Sequence, residues 1–172
     1  KEGSSFEVSQ SPQNFNLKLH KTMNLTLKKN LDASVNDMGD GILNVEFHSS
    51  LQPRHNPIDG SFVEMINYAL DLIEEDKFKA MIIAHEGVNF SAGANLNLFL
   101  ELCQDQQWEK LDFAVKTFQN MTQRIRFSKG PVVAAPFQLT LGGGTEIIQP
   151  AAYRVASAET YMGFVEMGVG LI

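Results

Sequence analysis

The chain has 172 residues, 44% of them hydrophobic and 20% charged, with 14 Lys and Arg against 20 Asp and Glu for a net charge of -6. That composition excludes a disordered or fibrous chain and suits one folded domain. The acidic balance, with a pI near 5.2, argues against a nucleic-acid partner, which needs a basic footprint, and no apolar run approaches the ~20 residues of a membrane span.

Residues 1–30 are polar, with Lys18, His20, Lys21, Lys28 and Lys29 scattered among Asn, Ser and Thr. They read as a linker or loosely packed arm before a domain over 31–172, and they lack the apolar stretch of a secretory signal. Cys103 is the single cysteine. A reducing compartment therefore fits: the cytoplasm, or the mitochondrial matrix or peroxisome in a eukaryote.

Ala33 to Met38 and Ile42 to Phe47 flank Gly39-Asp40-Gly41, and Leu43, Val45 and Phe47 alternate with Asn44 and Glu46, the pattern of a hairpin. The proline-bearing stretch Ser49 to Gly60 is a loop. Ser61 and Glu64 then form a Ser-x-x-Glu capping box, with Phe62, Ile66, Ala69 and Ile73 on one helical face. Ala80 to Ala84 is apolar on both faces, as a buried parallel strand is. Beyond the glycine-containing loop Gly87 to Gly93, Leu96 to Cys103 reads as a short helix. A longer one carries Trp108, Leu111, Val115, Phe118, Thr122 and Ile125, with Trp108 and Phe118 read as core residues. Lys129-Gly130-Pro131 ends it. Val132 to Ala135 is another strand, followed by Leu141-Gly142-Gly143-Gly144-Thr145-Glu146, a helical run to Ala152, a strand Tyr153 to Ala156 and a glycine-spaced end. Strands alternating with helices predict an α/β fold with a largely parallel sheet.

Two segments have small residues ending where a helix begins: Phe90-Ser91-Ala92-Gly93-Ala94-Asn95-Leu96 and Leu141 to Glu146. The first N–H groups of a helix lack intrahelical partners, so each segment can hold an oxyanion, or its glycines can simply permit a tight turn. Neither is a P-loop or a dinucleotide fingerprint, and no histidine pair or Cys/His cluster has zinc spacing. No metal is expected. Ser91 has no Gly-x-Ser-x-Gly setting and reads as a turn former rather than a nucleophile. Among the carboxylates, Glu146 follows three glycines and Glu166 lies among apolar neighbours. They read either as an acid/base pair or as a helix-dipole partner and a loop residue.

Taken together, Gln52-Pro53-Arg54-His55-Asn56-Pro57, Phe90 to Leu96, Gly130 to Ala135, Leu141 to Glu146 and Tyr161 to Glu166 resemble, in this order, the crotonase (enoyl-CoA hydratase/isomerase) superfamily. The resemblance implies a crotonase-like spiral of ββα units and an acyl-CoA substrate whose thioester carbonyl is held by the backbone N–H groups of Ala94 and Gly143. It gives Glu146 and Glu166 the acid/base roles of a hydratase, Glu146 on the water and Glu166 on proton delivery. It further implies CoA or substrate contacts from Arg54, Asn56, Ser91, Ala92, Asn95 and Leu96, with His55 as a further donor and Arg154 and Lys129 as alternative cations. Coenzyme A enters as part of the substrate, with no other cofactor. Isomerase activity, or a non-catalytic acyl-CoA-binding or assembly module, is the alternative.

The chain departs from the family where Pro136-Phe137-Gln138 replaces an Asn-Gly pair and Asn95 stands where Asp is frequent. These features resemble the crotonase region of fused proteins that also carry a 3-hydroxyacyl-CoA dehydrogenase domain. A homotrimer, or association with that domain, is the implied assembly. Ending at Gly170-Leu171-Ile172, the chain is expected to be a partial domain, truncated before the C-terminal helices.

Overall fold

The structure, a computed structural model, describes residues 25–170. Ala33–Asp37 (β2) and Ile42–Phe47 (β3) form the expected antiparallel hairpin, pairing Ala33 with Phe47 and Asp37 with Leu43. Leu43, Val45 and Phe47 enter the core, but Asn44 and Glu46, whose alternation predicts a solvent face, are each only 2% exposed. Their cross-strand partners are Asn36 and Ser34, so the second face is a buried polar layer. Asn36 binds it together, accepting from the Thr26 hydroxyl and donating to Ser34 Oγ.

Thr26–Lys29 (β1) pairs antiparallel with β2, so regular structure begins inside the segment read as an arm. Residues 1–24 of that arm lie outside the described residues. Lys28 and Lys29 are characteristic of an edge strand, where charge discourages further pairing.

Gly60–Glu74 (α1) follows, and its apolar stripe of Phe62, Met65, Ile66, Ala69, Leu70 and Ile73 lies in the core. The expected capping box is not the cap. Asp59 occupies that position, its carboxylate accepting from the N–H groups of Ser61 and Phe62 at 2.9 and 3.2 Å. With those donors satisfied two residues upstream, Glu64 turns outward to Lys28 and Asn30.

Ala80–Ile83 (β4) pairs parallel with β3, Val132–Ala134 (β5) parallel with β4, and Tyr153–Arg154 (β7) parallel with β5. The sheet order is β1-β2-β3-β4-β5-β7. Between β4 and β5 run Leu96–Gln104 (α2) and Trp108–Arg126 (α3). Only Met121 and Ile125 of α3 are buried, and Arg124 ties it to α1 through Asn67, Asp71 and Glu74. Phe118 packs against the core as expected, whereas Trp108 is 58% exposed and is not a core residue. It stands on the first turn of α3, far along the helix from the part that meets α1.

A second, two-stranded parallel sheet joins Leu139–Leu141 (β6) to Tyr161–Gly163 (β8), with Gly143–Ile148 (α4) between β6 and β7. α4 stops short of the expected Ala152 because Pro150 lies two residues beyond its end. Isolated parallel bridges join Ile58 to Ala94 and Ser91 to Thr140. Three successive turns of the chain thus place a strand in the large sheet, then a short extended piece beside it, and then a helix, and the fourth places β7 and β8. No helix among the described residues is long and apolar enough to cross a membrane.

Candidate active site

The segment Phe90 to Ala94 crosses from the large sheet to α2 and is tied at every step. The N–H groups of Phe90, Ser91 and Ala92 donate to the carbonyls of Phe137, Leu139 and His55, and that of Gly93 donates to Ser91 Oγ at 3.0 Å. The Ser91 and Gly93 carbonyls accept from Leu141 and Ile58. Ala94 breaks the series: among the described residues its N–H has no acceptor. Gly93 makes this path possible at φ 98°, with a Cβ there lying 2.9 Å from the Leu141 carbonyl.

α4 packs directly on this segment. A Cβ on Gly144 would meet the Ser91 carbonyl at 2.9 Å, and one on Gly143 would lie 3.4 Å from the Ala94 nitrogen. The Gly143 N–H, first in its helix, likewise has no acceptor among the described residues. Two unpaired donors from two chain segments therefore lie close together, and stabilisation of one developing oxyanion requires such a pair.

Glu146 lies one turn further along α4. Glu166 arrives from the other direction, three residues beyond β8, whose register against β6 pairs Leu141 with Gly163. Its Oε1 would lie 3.2 Å from a Cβ on Gly142, which places the carboxylate against the start of α4. Gly142 has φ 49°, and its N–H donates to the Gly163 carbonyl at 2.9 Å. Desolvation first, then repulsion from Glu166, raises the Glu146 pKa above the usual carboxylate range. Glu146 is solvent-exposed as a residue, with Glu166 near enough to repel its carboxylate. The two acids read from sequence as a pair are thus brought together with Ala94 and Gly143.

The remaining candidates divide. Ser91 is fully buried and serves its turn, as read from sequence, so its side chain is not offered to a ligand. Asn56, read as a CoA contact, is 2% exposed. Its amide is spent inside, accepting from the Ser49 N–H and donating to the carbonyls of Phe47 and Phe90. Asn95 caps α2 by accepting from the Leu98 N–H at 3.4 Å, and Leu96 is exposed on its first turn. Ala92 is half-buried and joins the proline-bearing loop through His55.

Arg54 lines an open cavity of about 1070 Å³ with His55, His85, Glu86, Asn89 and Phe137, which none of Ala94, Gly143, Glu146 or Glu166 lines. The alternative cations are committed elsewhere. Lys129 pairs with Asp76, and Arg154 donates to the carbonyls of Gln149 and Ala151 at the end of α4.

Sequence reasoning missed Thr145. Its hydroxyl donates to the Thr140 carbonyl at 2.6 Å and accepts from the Gly163 N–H at 3.0 Å, locking α4 to both strands of the small sheet and so fixing where the Glu166 turn begins. Its partners lie 5 and 18 residues away, so no local sequence pattern marks it.

The pattern of the Enoyl-CoA hydratase/isomerase family matches residues 52–172, and the chain belongs to that family. It is 41% identical over 165 residues, 96% of its length, to the "Probable 3-hydroxyacyl-CoA dehydrogenase" of Bacillus subtilis (strain 168), of which it covers 20%. It is 34% identical over 122 residues to the "Fatty acid oxidation complex subunit alpha" of Aliivibrio fischeri (strain ATCC 700601 / ES114), covering 68% of this chain and 17% of that protein. The chain therefore spans about a fifth of the length of these relatives.

Its fold matches solved enoyl-CoA hydratases from Bacillus anthracis and Shewanella pealeana ATCC 700345. The TM-scores are 0.71 and 0.72, at 23% and 18% identity, with 83% of this chain and 54% and 52% of those chains covered. The crotonase-like architecture expected from the motifs is the one observed.

Proposed function

We propose that this chain carries the site of an enoyl-CoA hydratase, which adds water across the 2,3 double bond of an enoyl-CoA thioester in fatty acid oxidation. The observation that carries this reading is the meeting of two mutually repelling carboxylates with two unpaired backbone N–H groups. In this reading the thioester oxygen accepts from Ala94 and Gly143, which drains charge from C3 of the conjugated system. Glu146 orients a water and takes one of its protons as the oxygen bonds to C3. Negative charge moves to the thioester oxygen as an enolate, and the N–H pair stabilises it. Glu166, protonated at the start, supplies a proton to C2, and the proton taken up by Glu146 passes to Glu166 to restore the pair, so one water is added and no electron is gained or lost. Both acids act on one water, so the two roles are assigned to them as a pair.

Coenzyme A is part of the substrate and no further cofactor takes part. Arg54 is the cation proposed for its phosphates. The names of the relatives support a place beside a 3-hydroxyacyl-CoA dehydrogenase in one longer chain.

The test uses the full-length protein that contains this chain, with trans-2-enoyl-CoA as substrate and loss of the conjugated absorbance as readout. Glu146→Gln and Glu166→Gln should each lower hydration by ~10²–10⁴. Conversion of 3-enoyl-CoA to 2-enoyl-CoA with no water added would replace the hydratase reading by an isomerase. Binding of acyl-CoA with neither reaction would leave a non-catalytic module.

A further inference from the structure

We propose that His85 is a positioning residue for the oxyanion-binding N–H groups, its imidazole holding the Phe90 carbonyl and so fixing the segment that presents Ala94. The inference rests on the reading of Ala94 and Gly143 as donors to a thioester oxygen.

His85 lies two residues beyond the end of β4 and is 8% exposed. Its ring is boxed by Phe47, Phe90 and Phe137, with centroid distances of 4.5, 5.4 and 5.1 Å. A polar imidazole is a costly filler for an aromatic box unless its nitrogens are bonded. Nε2 stands 2.9 Å from the Phe90 carbonyl oxygen. That oxygen only accepts, so this bond takes the tautomer with its proton on Nε2, and Asn56 Nδ2, 3.3 Å from Nε2, then shares the acceptor with the ring instead of donating to it.

The same carbonyl receives Asn56 Nδ2 at 3.0 Å. The Asn56 amide is itself oriented, because its Oδ1 accepts from the Ser49 N–H at 2.7 Å. Two side chains, one from the loop after β3 and one from just beyond β4, thus converge on one oxygen.

The Phe90 carbonyl and the Ser91 N–H belong to one planar peptide unit. Its carbonyl end is held by His85 and Asn56, and its N–H end donates to Leu139 in β6 at 3.0 Å. This peptide is therefore pinned between the two sheets. From it the backbone runs through the Ser91 and Gly93 turn to the unpaired Ala94 N–H, three residues past Ser91, with Gly93 already at close approach to Leu141 and Gly143. Rotation of the Phe90–Ser91 peptide would carry the Ala94 donor away from Gly143. A misplacement of about 1 Å at a reacting site can cost ~10² in rate. A leucine would fill the box equally well but would leave this peptide held by Asn56 alone.

The experiment compares His85→Leu, which keeps volume and removes the donor, with His85→Gln, whose amide can still reach Phe90, in the full-length protein. Two readouts are taken. One is the infrared carbonyl stretch of bound hexanoyl-CoA, a saturated thioester that cannot be hydrated; the other is kcat and KM for trans-2-enoyl-CoA. In the wild type the carbonyl stretch should shift to lower frequency on binding. His85→Leu should lose most of that shift and lower kcat on the order of tenfold, less than the ~10²–10³ for deleting an oxyanion donor outright, with KM within about twofold. His85→Gln should restore both.

If His85→Leu does not fold, His85→Asn replaces it, since its shorter amide stops before Phe90, and the same contrast with His85→Gln is expected. An unchanged carbonyl shift in the donor-less variant, or equal losses in the Leu and Gln variants, overturns the inference. Absence of turnover with the carbonyl shift present and sensitive to His85 would sink the hydratase reading and leave this one standing. No shift in the wild type overturns both.

Discussion

The unit built from β2, β3, β4 and α1 and the limb from Tyr153 to Gly170 draw on the same kinds of apolar side chain and dispose of them in opposite ways. In the first, Ala33, Val35, Leu43, Val45, Phe62, Ile66 and Met81 are all at or below 1% exposure. In the second, Tyr153, Tyr161, Phe164 and Met167 are 58–78% exposed. The difference follows from the number of layers. β3 and β4 are central strands with a helix on one face, whereas β7 is an edge of the large sheet and β8 an edge of the small one. The two acids are divided between these settings. Glu146 rises from a helix whose other residues are nearly all buried, and Glu166 hangs from the exposed limb, held through Thr145, Gly142 and the β6 register. One acid is fixed by the core and the other by a few hydrogen bonds.

This contrast can be broken most directly by truncating one phenylalanine from each side. Phe62→Ala removes a ring that is 1% exposed and lies tilted against Phe47 with centroids 4.5 Å apart, and should cost about 3–5 kcal/mol of unfolding free energy. Phe164→Ala, at 58% exposure, should stay within about 0.5 kcal/mol. Urea denaturation of both variants checks this, and equal costs would mean that the limb is as tightly packed as the core.

Glycine substitutions sharpen the same comparison on a smaller scale. A Cβ on Gly130 would lie 2.1 Å from the Lys79 carbonyl and 3.0 Å from Ile73 Cγ2. Gly130→Ala therefore forces a backbone shift costing about 1–3 kcal/mol. A Cβ on Gly163, in β8, meets nothing within 4 Å, so Gly163→Ala should leave the melting temperature nearly unchanged. A smaller effect again is expected at the α1 cap, where Asp59→Ala removes the acceptor of two N–H groups and should cost about 1 kcal/mol. Ser61→Ala should cost less, because Ser61 is not the cap.

These sites also show what the sequence makes legible. The hairpin, the buried parallel strands and α1 were readable because periodicity reports which side chains must leave water, and here burial decides the structure. The two glycine-bearing turns were readable as places with unpaired N–H groups because those follow from backbone position, which small residues mark, whereas the particular residues Ala94 and Gly143 came from the family resemblance. Trp108 was misread because periodicity shows that a helix has an apolar face, and not how far along its length a neighbour covers that face; α1 meets α3 only near Met121 and Ile125. The strand Thr26–Lys29 escaped because two of its four residues are lysines, suited to an edge and silent in hydropathy. Asn56 was read as facing a ligand when its amide is consumed by three backbone groups from β3, the loop after it and the Phe90 segment. Such long-range hydrogen bonds leave no local pattern. His85 and Thr145 were passed over for the same reason.

The finest test concerns the coupling between the two acids. The Glu146 pKa is raised first by desolvation and then by Glu166. An acid whose pKa is higher in the folded state stabilises that state fully below its unfolded pKa, and the contribution is lost as pH rises through the folded pKa. Glu146 therefore makes the protein less stable as pH climbs through the carboxylate range. Asp32, in the packed half, has the opposite slope, because the Ser50 N–H holds its pKa down and its contribution disappears as pH falls. Glu166→Gln removes the repulsion but not the desolvation. The Glu146 titration, followed by carbon NMR of its side-chain carboxyl, should move down toward the ordinary value while remaining above it, and the stability lost with rising pH should shrink in step. A titration indifferent to Glu166→Gln would place the carboxylates too far apart to hold one water between them, and the acid/base pairing would fail even with both residues correctly located.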